Sequence, residues 1–125
     1  PKVFGGILGR RANEGDQAQM KEYDIPAIDL VVVDLYPFEQ TVASGASDAD
    51  IIEKIDIGGI SLIRAGAKNF NDVVIVPSKV EYSVLLDILN KNGAQTDIED
   101  RKMLAARAFG VSSHYDTAIH EWFVK

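Results

Sequence analysis

The chain has no cysteine among its 125 residues. That absence excludes disulfides, thiolate zinc sites and cysteine nucleophiles. Histidine is scarce as well, with only two. His114 and His120 lie six apart on one predicted helix, so they do not share a face and show no metal-ligand spacing. No apolar run approaches the ~20 residues of a membrane span. Positive charge is in deficit: 13 Lys and Arg against 19 Asp and Glu leave a net charge of −6. So acidic a chain is a poor partner for nucleic acid or an anionic membrane. No leader-like segment opens it, which makes the cytoplasm the expected location. The first residue is Pro1, not Met, so either an initiator was removed or the chain is a piece of something longer.

What is present reads as an ordinary globular sequence, 46% hydrophobic and 26% charged. Two segments are apolar on both strand faces, "IDLVVVDLY" (28–36) and "DVVIV" (72–76). Each is closed by a proline, Pro37 or Pro77. Continuous apolar runs of this kind mark strands covered on both sides, as in a parallel sheet. Residues 3–8 supply a weaker third candidate strand. Asn13–Asp16 reads as a turn, followed by a short helix over 17–23.

The stretch between the strands should hold two helices. Ser47 with Asp50 forms an acidic capping box before Ile51, Ile52 and Ile55. Gly58 and Gly59 break that helix, and another runs from Ser61 through Lys68. Beyond the second strand, Ser78 with Glu81 opens a helix that Gly93 closes. Thr96 with Glu99 opens the next, ending near Gly110, and Ser113 with Asp116 opens the last. Strand, helices, strand, helices is the order of an α/β fold with parallel strands. Two strands buried on both faces make an incomplete sheet, since every strand in it is an edge. Further strands are expected from residues upstream or from another chain.

Three spots carry candidate chemistry. Tyr36, beside Pro37 at the end of the first strand, can point its phenol into a crevice or simply be a boundary tyrosine. Asp56 precedes Ile57, Gly58 and Gly59 at a helix start, where backbone amides can approach an anionic or carbonyl oxygen. The plainer alternative is a helix cap that binds nothing. Lys68 ends the next helix, where a cation suits the dipole or turns into a crevice. Arg10 and Arg11 read as a solvated pair, and Trp122 with Phe123 as core or interface. Gly5, Gly6 and Gly9 do not have the spacing of a dinucleotide fingerprint.

Taken in order, "LYPF", "TVASG", "EKIDIGG" and "RAGAKN" resemble the IMP cyclohydrolase domain of the bifunctional enzyme AICAR formyltransferase/IMP cyclohydrolase. The opening "PKVFGGIL" is similar to the segment directly after that family's "KTLHP" motif, and "FGVSSHYDTAIHEWF" to the end of its domain. The resemblance implies a methylglyoxal-synthase-like α/β/α fold of three layers with a mainly parallel sheet, incomplete at its N-terminus. It implies that residues 1–125 are the C-terminal two-thirds of one such domain, with no second domain. The implied reaction is ring closure of 5-formamido-imidazole-4-carboxamide ribonucleotide to IMP with loss of water, in de novo purine biosynthesis. No metal and no organic cofactor serve that step. A downstream transferase domain uses 10-formyltetrahydrofolate, and the intact enzyme is a cytoplasmic homodimer.

The family's catalytic residues carry over to Tyr36, Asp56 and Lys68, and its base-contacting residues to Ile57, Gly58 and Gly59. Gly66 departs from the family's usual alanine at a helix-stability cost of ~1 kcal/mol. The "STGGT"-type phosphate loop and the lysine of "KTLHP" are missing, so the chain alone is expected to be inactive and to need that N-terminal segment. The alternative function is a non-catalytic nucleotide- or small-anion-binding regulatory module on the same fold.

Overall fold

The computed structural model describes residues 1–125. Its sheet is a parallel pair, β1 (Leu30–Val32) and β2 (Val74–Val76), in the register Leu30 to Val74, Val31 to Ile75 and Val32 to Val76. The ladder is shorter than the apolar runs predict. Residues 33–37 leave it without regular structure, so Pro37 does not end the strand but precedes α3 (Phe38–Ala43). Burial also differs between the two strands. β2 is buried at every position, whereas Leu30 and Val32 are exposed and only Val31 is buried in β1. The reason is position: each strand has one free edge, but helices pack far more extensively on β2 than on β1.

Helices lie on both faces of the pair. In α5 (Gly58–Lys68), Ile63, Ala65, Gly66 and Ala67 are buried. Gly66 lies against Ile75, where a Cβ would stand 3.1 Å from Ile75 Cδ1, so the helix sits very close to the sheet. On the other face, Leu30 and Val74 share a cavity with Leu85 and Leu89 of α6 (Tyr82–Asn92). One core joins the two strands to α5, α6 and Leu104, Ala105 and Ala108 of α7 (Ile98–Phe123). A smaller cluster gathers Phe38, Ile51 and Tyr115.

Local signals place most helix ends. Ser47 accepts from the Asp50 amide and caps α4 (Asp48–Glu53). Gly93, with φ +69°, follows α6. Asn13 caps α2 (Glu14–Glu22), so the predicted turn is that helix's first turn. Four helix expectations fail. Gly58 and Gly59 do not break α4, which ends at Glu53, but open α5 three residues before the expected start at Ser61. Residues 3–8 are not a strand but lie in α1 (Lys2–Leu8), where Gly6 fits against Pro26 and Ile28. Ser78 caps nothing with its side chain, and a 3₁₀ turn at Lys79–Glu81 precedes α6. The two predicted C-terminal helices are one. Asp97, not Thr96, caps it by accepting from the Asp100 amide at 2.8 Å, and it runs unbroken through Gly110. Gly110 is solvent-exposed, and buried Leu104, Ala105, Ala108, Ser112 and Tyr115 outweigh its ~1 kcal/mol propensity cost.

The basic pair is not idle. Arg11 donates its backbone N–H to Asp72 at 3.0 Å and its guanidinium to the Ile28 carbonyl at 3.2 Å. It also pairs with Asp29 at 2.7 Å. One residue thus ties together the approaches to both strands, by its backbone to β2 and by its side chain to β1. Arg10 pairs with Asp16.

Candidate active site

Parallel α/β folds place ligands at the carboxyl ends of their strands. Here Tyr36, Pro37 and Phe38 follow β1, and Pro77, Ser78 and Lys79 follow β2. Together with Tyr115 they line a crevice of about 530 Å³. A larger cavity, about 640 Å³, opens at the other end of the strands. Both of its arginines are already committed to structural hydrogen bonds: Arg11 to the strand approaches, Arg101 to the Phe70 and Thr96 carbonyls and the Thr96 hydroxyl. The carboxyl-end crevice is therefore the better site.

Asp56 lies beside it, only 8% exposed. One carboxylate oxygen accepts the Gly59 N–H at 2.6 Å, and the other accepts the Tyr36 N–H at 3.3 Å. The side chain therefore links the end of the β1 segment to the start of α5. The plain-cap reading describes part of what it does. A carboxylate has about four lone-pair positions, so two amide donors leave it able to accept another N–H. Gly58, one residue on, faces open space: a Cβ there would meet nothing within 4 Å. The first amides of a helix have no partner within it. Ile57 is 74% exposed and Tyr36 56%, so both remain accessible beside the buried carboxylate. The Lys54 ammonium sits over the Tyr36 ring, 5.6 Å from its centroid.

Tyr36, Asp56, Ile57, Gly58 and Gly59 are thus brought together. Lys68 is not among them. It lies exposed at the opposite end of α5, ten residues beyond Gly58, which is about 15 Å of helix. Its neighbours there are Leu8, Arg10, Asp16 and Asn69. Two residues escaped the sequence reading. Buried Asn69 donates to the Ile7 carbonyl at 2.8 Å and the Gly9 carbonyl at 3.3 Å, holding the end of α1. The Tyr115 hydroxyl accepts the Asp56 N–H and donates to the Lys54 carbonyl. Asn69 stands within the "RAGAKN" string; nothing local singles out Tyr115. No three His, Asp or Glu side chains gather as a metal-binding group.

A parallel pair with helices on both faces and a crevice at the strand carboxyl ends is an α/β arrangement, and the family model of the MGS-like domain matches residues 4–61, which gives the class. The remaining part of the chain, residues 66–125, matches the model of the AICARFT/IMPCHase bienzyme, and the chain belongs to that family. It is 65% identical over 123 residues to the bifunctional purine biosynthesis protein PurH of Bacteroides thetaiotaomicron, covering 98% of this chain and 24% of that protein. It is 49% identical to PurH of Rhodospirillum rubrum, covering 98% of this chain and 23% of that one. The chain therefore spans about a quarter of the length of these relatives. Among solved structures, the crystal structure of ForH superposes with a TM-score of 0.82 at 36% identity, over 98% of this chain and 63% of that one.

Proposed function

We propose that this chain carries part of a cyclohydrolase site. In the full-length protein it would close 5-formamido-imidazole-4-carboxamide ribonucleotide to IMP, a step of de novo purine biosynthesis. The observation that carries the reading is Asp56, a buried carboxylate fixed by two backbone amides between exposed Tyr36 and the open amides of α5. In the reaction the carboxamide nitrogen attacks the formyl carbon and a C–N bond forms. The former formyl oxygen gains negative charge and takes up the proton that the carboxamide nitrogen gives up. It then departs as water with a second proton, as the formamido nitrogen loses its hydrogen and the ring C=N bond replaces the broken C–O bond. Asp56 accepts a carboxamide N–H and orients the nitrogen for attack. The Tyr36 phenol donates to the formyl oxygen as charge grows on it. The amides at Ile57 and Gly58 hold the base, and Gly59 permits its close approach.

Lys68 enters this reading on the family resemblance alone. The phosphate contacts belong to an upstream segment, so this chain by itself is inactive. The step needs no metal or organic cofactor; 10-formyltetrahydrofolate serves the transferase domain. The full-length protein is a homodimer working in the cytoplasm, and no helix of this chain is long and apolar enough to cross a membrane. No observation favours the regulatory-module alternative.

The test uses the full-length protein. Asp56→Asn and Tyr36→Phe are each expected to lower turnover by about 10²-fold or more. Nucleotide affinity should change little. Formation of IMP is followed by its absorbance. Wild-type turnover in either variant overturns the reading.

A further inference from the structure

We propose that Tyr115, on the last helix of the chain, is a positioning residue that sets Asp56 and Tyr36 for the ring-closing step. The proposal rests on the cyclohydrolase reading of the Asp56 site and deepens it.

The turn between α4 and α5 carries Asp56 but belongs to neither helix, so its backbone groups need partners from elsewhere. Tyr115 supplies them from 59 and 61 residues away. Its hydroxyl accepts the Asp56 N–H at 2.8 Å and donates to the Lys54 carbonyl at 2.6 Å. A tyrosine buried for packing alone needs one partner. This one spends both donor and acceptor on a single turn, bracketing the residue whose carboxylate holds the Tyr36 and Gly59 amides.

Its ring acts on the other half of the site. Phe38, fully buried two residues after Tyr36, meets the Tyr115 ring edge-on, with centroids 6.2 Å apart. The Lys54 residue whose carbonyl Tyr115 holds also covers the Tyr36 ring with its ammonium. Tyr115 thus fixes the Asp56 turn through its hydroxyl and the Tyr36 segment through its ring. Burial pushes its phenol above the ordinary tyrosine range, which keeps it a neutral donor.

Removing only the hydroxyl leaves the Asp56 N–H and the Lys54 carbonyl without a protein partner, and the turn relaxes. A carboxylate displaced by an ångström costs on the order of 10²-fold in rate. Tyr115→Phe in the full-length protein, assayed well below its unfolding temperature, is therefore expected to lower kcat by about 10- to 100-fold. KM should stay within about twofold, since the nucleotide contacts persist. In an Asp56→Asn background the same change should alter the residual kcat by less than about twofold, because a residue acting through Asp56 has nothing left to position. A purely structural tyrosine would lower the unfolding temperature and leave kcat alone.

Wild-type kcat in Tyr115→Phe, beside an impaired Asp56→Asn, overturns the proposal alone. So does an equal loss in both backgrounds. Wild-type turnover in Asp56→Asn overturns the site reading and the proposal with it. Should Tyr115→Phe not fold, amide exchange decides in the unaltered full-length protein. The Asp56 N–H is expected to exchange slowly, and exchange at the open-chain rate overturns the proposal.

Discussion

The Asp56 carboxylate occupies the space that a side chain on Gly59 would take. Its Oδ1 accepts the Gly59 N–H at 2.6 Å, and a Cβ on Gly59 would lie 2.7 Å from that oxygen and 2.9 Å from Oδ2. Real Cβ atoms do not come so close, so the carboxylate must move if residue 59 gains one. Gly59→Ala is expected to displace Asp56, to cost about 1–3 kcal/mol of stability and to abolish most ring closure in the full-length protein. Gly58→Ala, which meets open space at a helix start, should not lower the unfolding temperature. Parallel thermal unfolding of the two variants checks the contrast.

Gly66 presents the opposite balance. Alanine would gain ~1 kcal/mol of helix propensity. Its Cβ, however, would stand 3.1 Å from Ile75 Cδ1 and 3.2 Å from Ile75 Cβ. Ile75 is fully buried in β2 and has little room to retreat. Gly66→Ala alone is therefore expected to leave the unfolding temperature unchanged or slightly lower. In an Ile75→Val background, which lacks Cδ1, the same substitution should raise it. A double-mutant cycle in thermal unfolding measures that coupling.

Asn69 offers a test of a buried polar tie. Its amide donates to the Ile7 and Gly9 carbonyls and is 7% exposed. Asn69→Ala leaves the buried Ile7 carbonyl without that donor and is expected to cost about 1–3 kcal/mol. Denaturant unfolding should show a lower midpoint. Proteolysis should cut first near α1, whose end the side chain holds.

The Arg10–Asp16 pair predicts a pH dependence with a definite sign. Hydrogen bonds from the Arg10 side chain and backbone hold the Asp16 carboxyl at about 2, below its ordinary 3.8. The folded state thus prefers the ionised form more than the unfolded chain does. The resulting stabilisation is fully present above the unfolded value and is lost as pH falls from about 4 through about 2. Asp16→Asn is expected to flatten the fall of stability across that window. Unfolding midpoints measured between those pH values check it.

The elements legible in the sequence are those whose cause is local. Ser47 caps α4 because its hydroxyl reaches an amide three residues on, and Gly93 follows α6 because a positive φ suits glycine. The apolar runs around Val31 and Ile75 announce parallel strands because each strand's own residues carry the pattern. "EKIDIGG" likewise marked Asp56 and its glycines, since an acid before a glycine pair at a helix start is contained in seven residues.

Other features depended on which surfaces meet. Residues 3–8 are helical because Gly6 fits against Pro26 and Ile28, a contact no strand propensity encodes. α7 passes through Gly110 because its buried face holds it straight. Lys68 lies only twelve residues after Asp56 yet ends the far side of α5, about 15 Å of helix beyond Gly58, because a helix converts sequence distance into length. Tyr115 reaches Asp56 across 59 residues, a pairing set by the docking of α7 on the turn. By itself the sequence determined the Ser47 cap, the pattern of the two strands and the place of Asp56 beside its glycine pair. Only the tertiary structure decided what holds that acid in place, because long-range contacts arise from packing between elements and not from the order of residues within one.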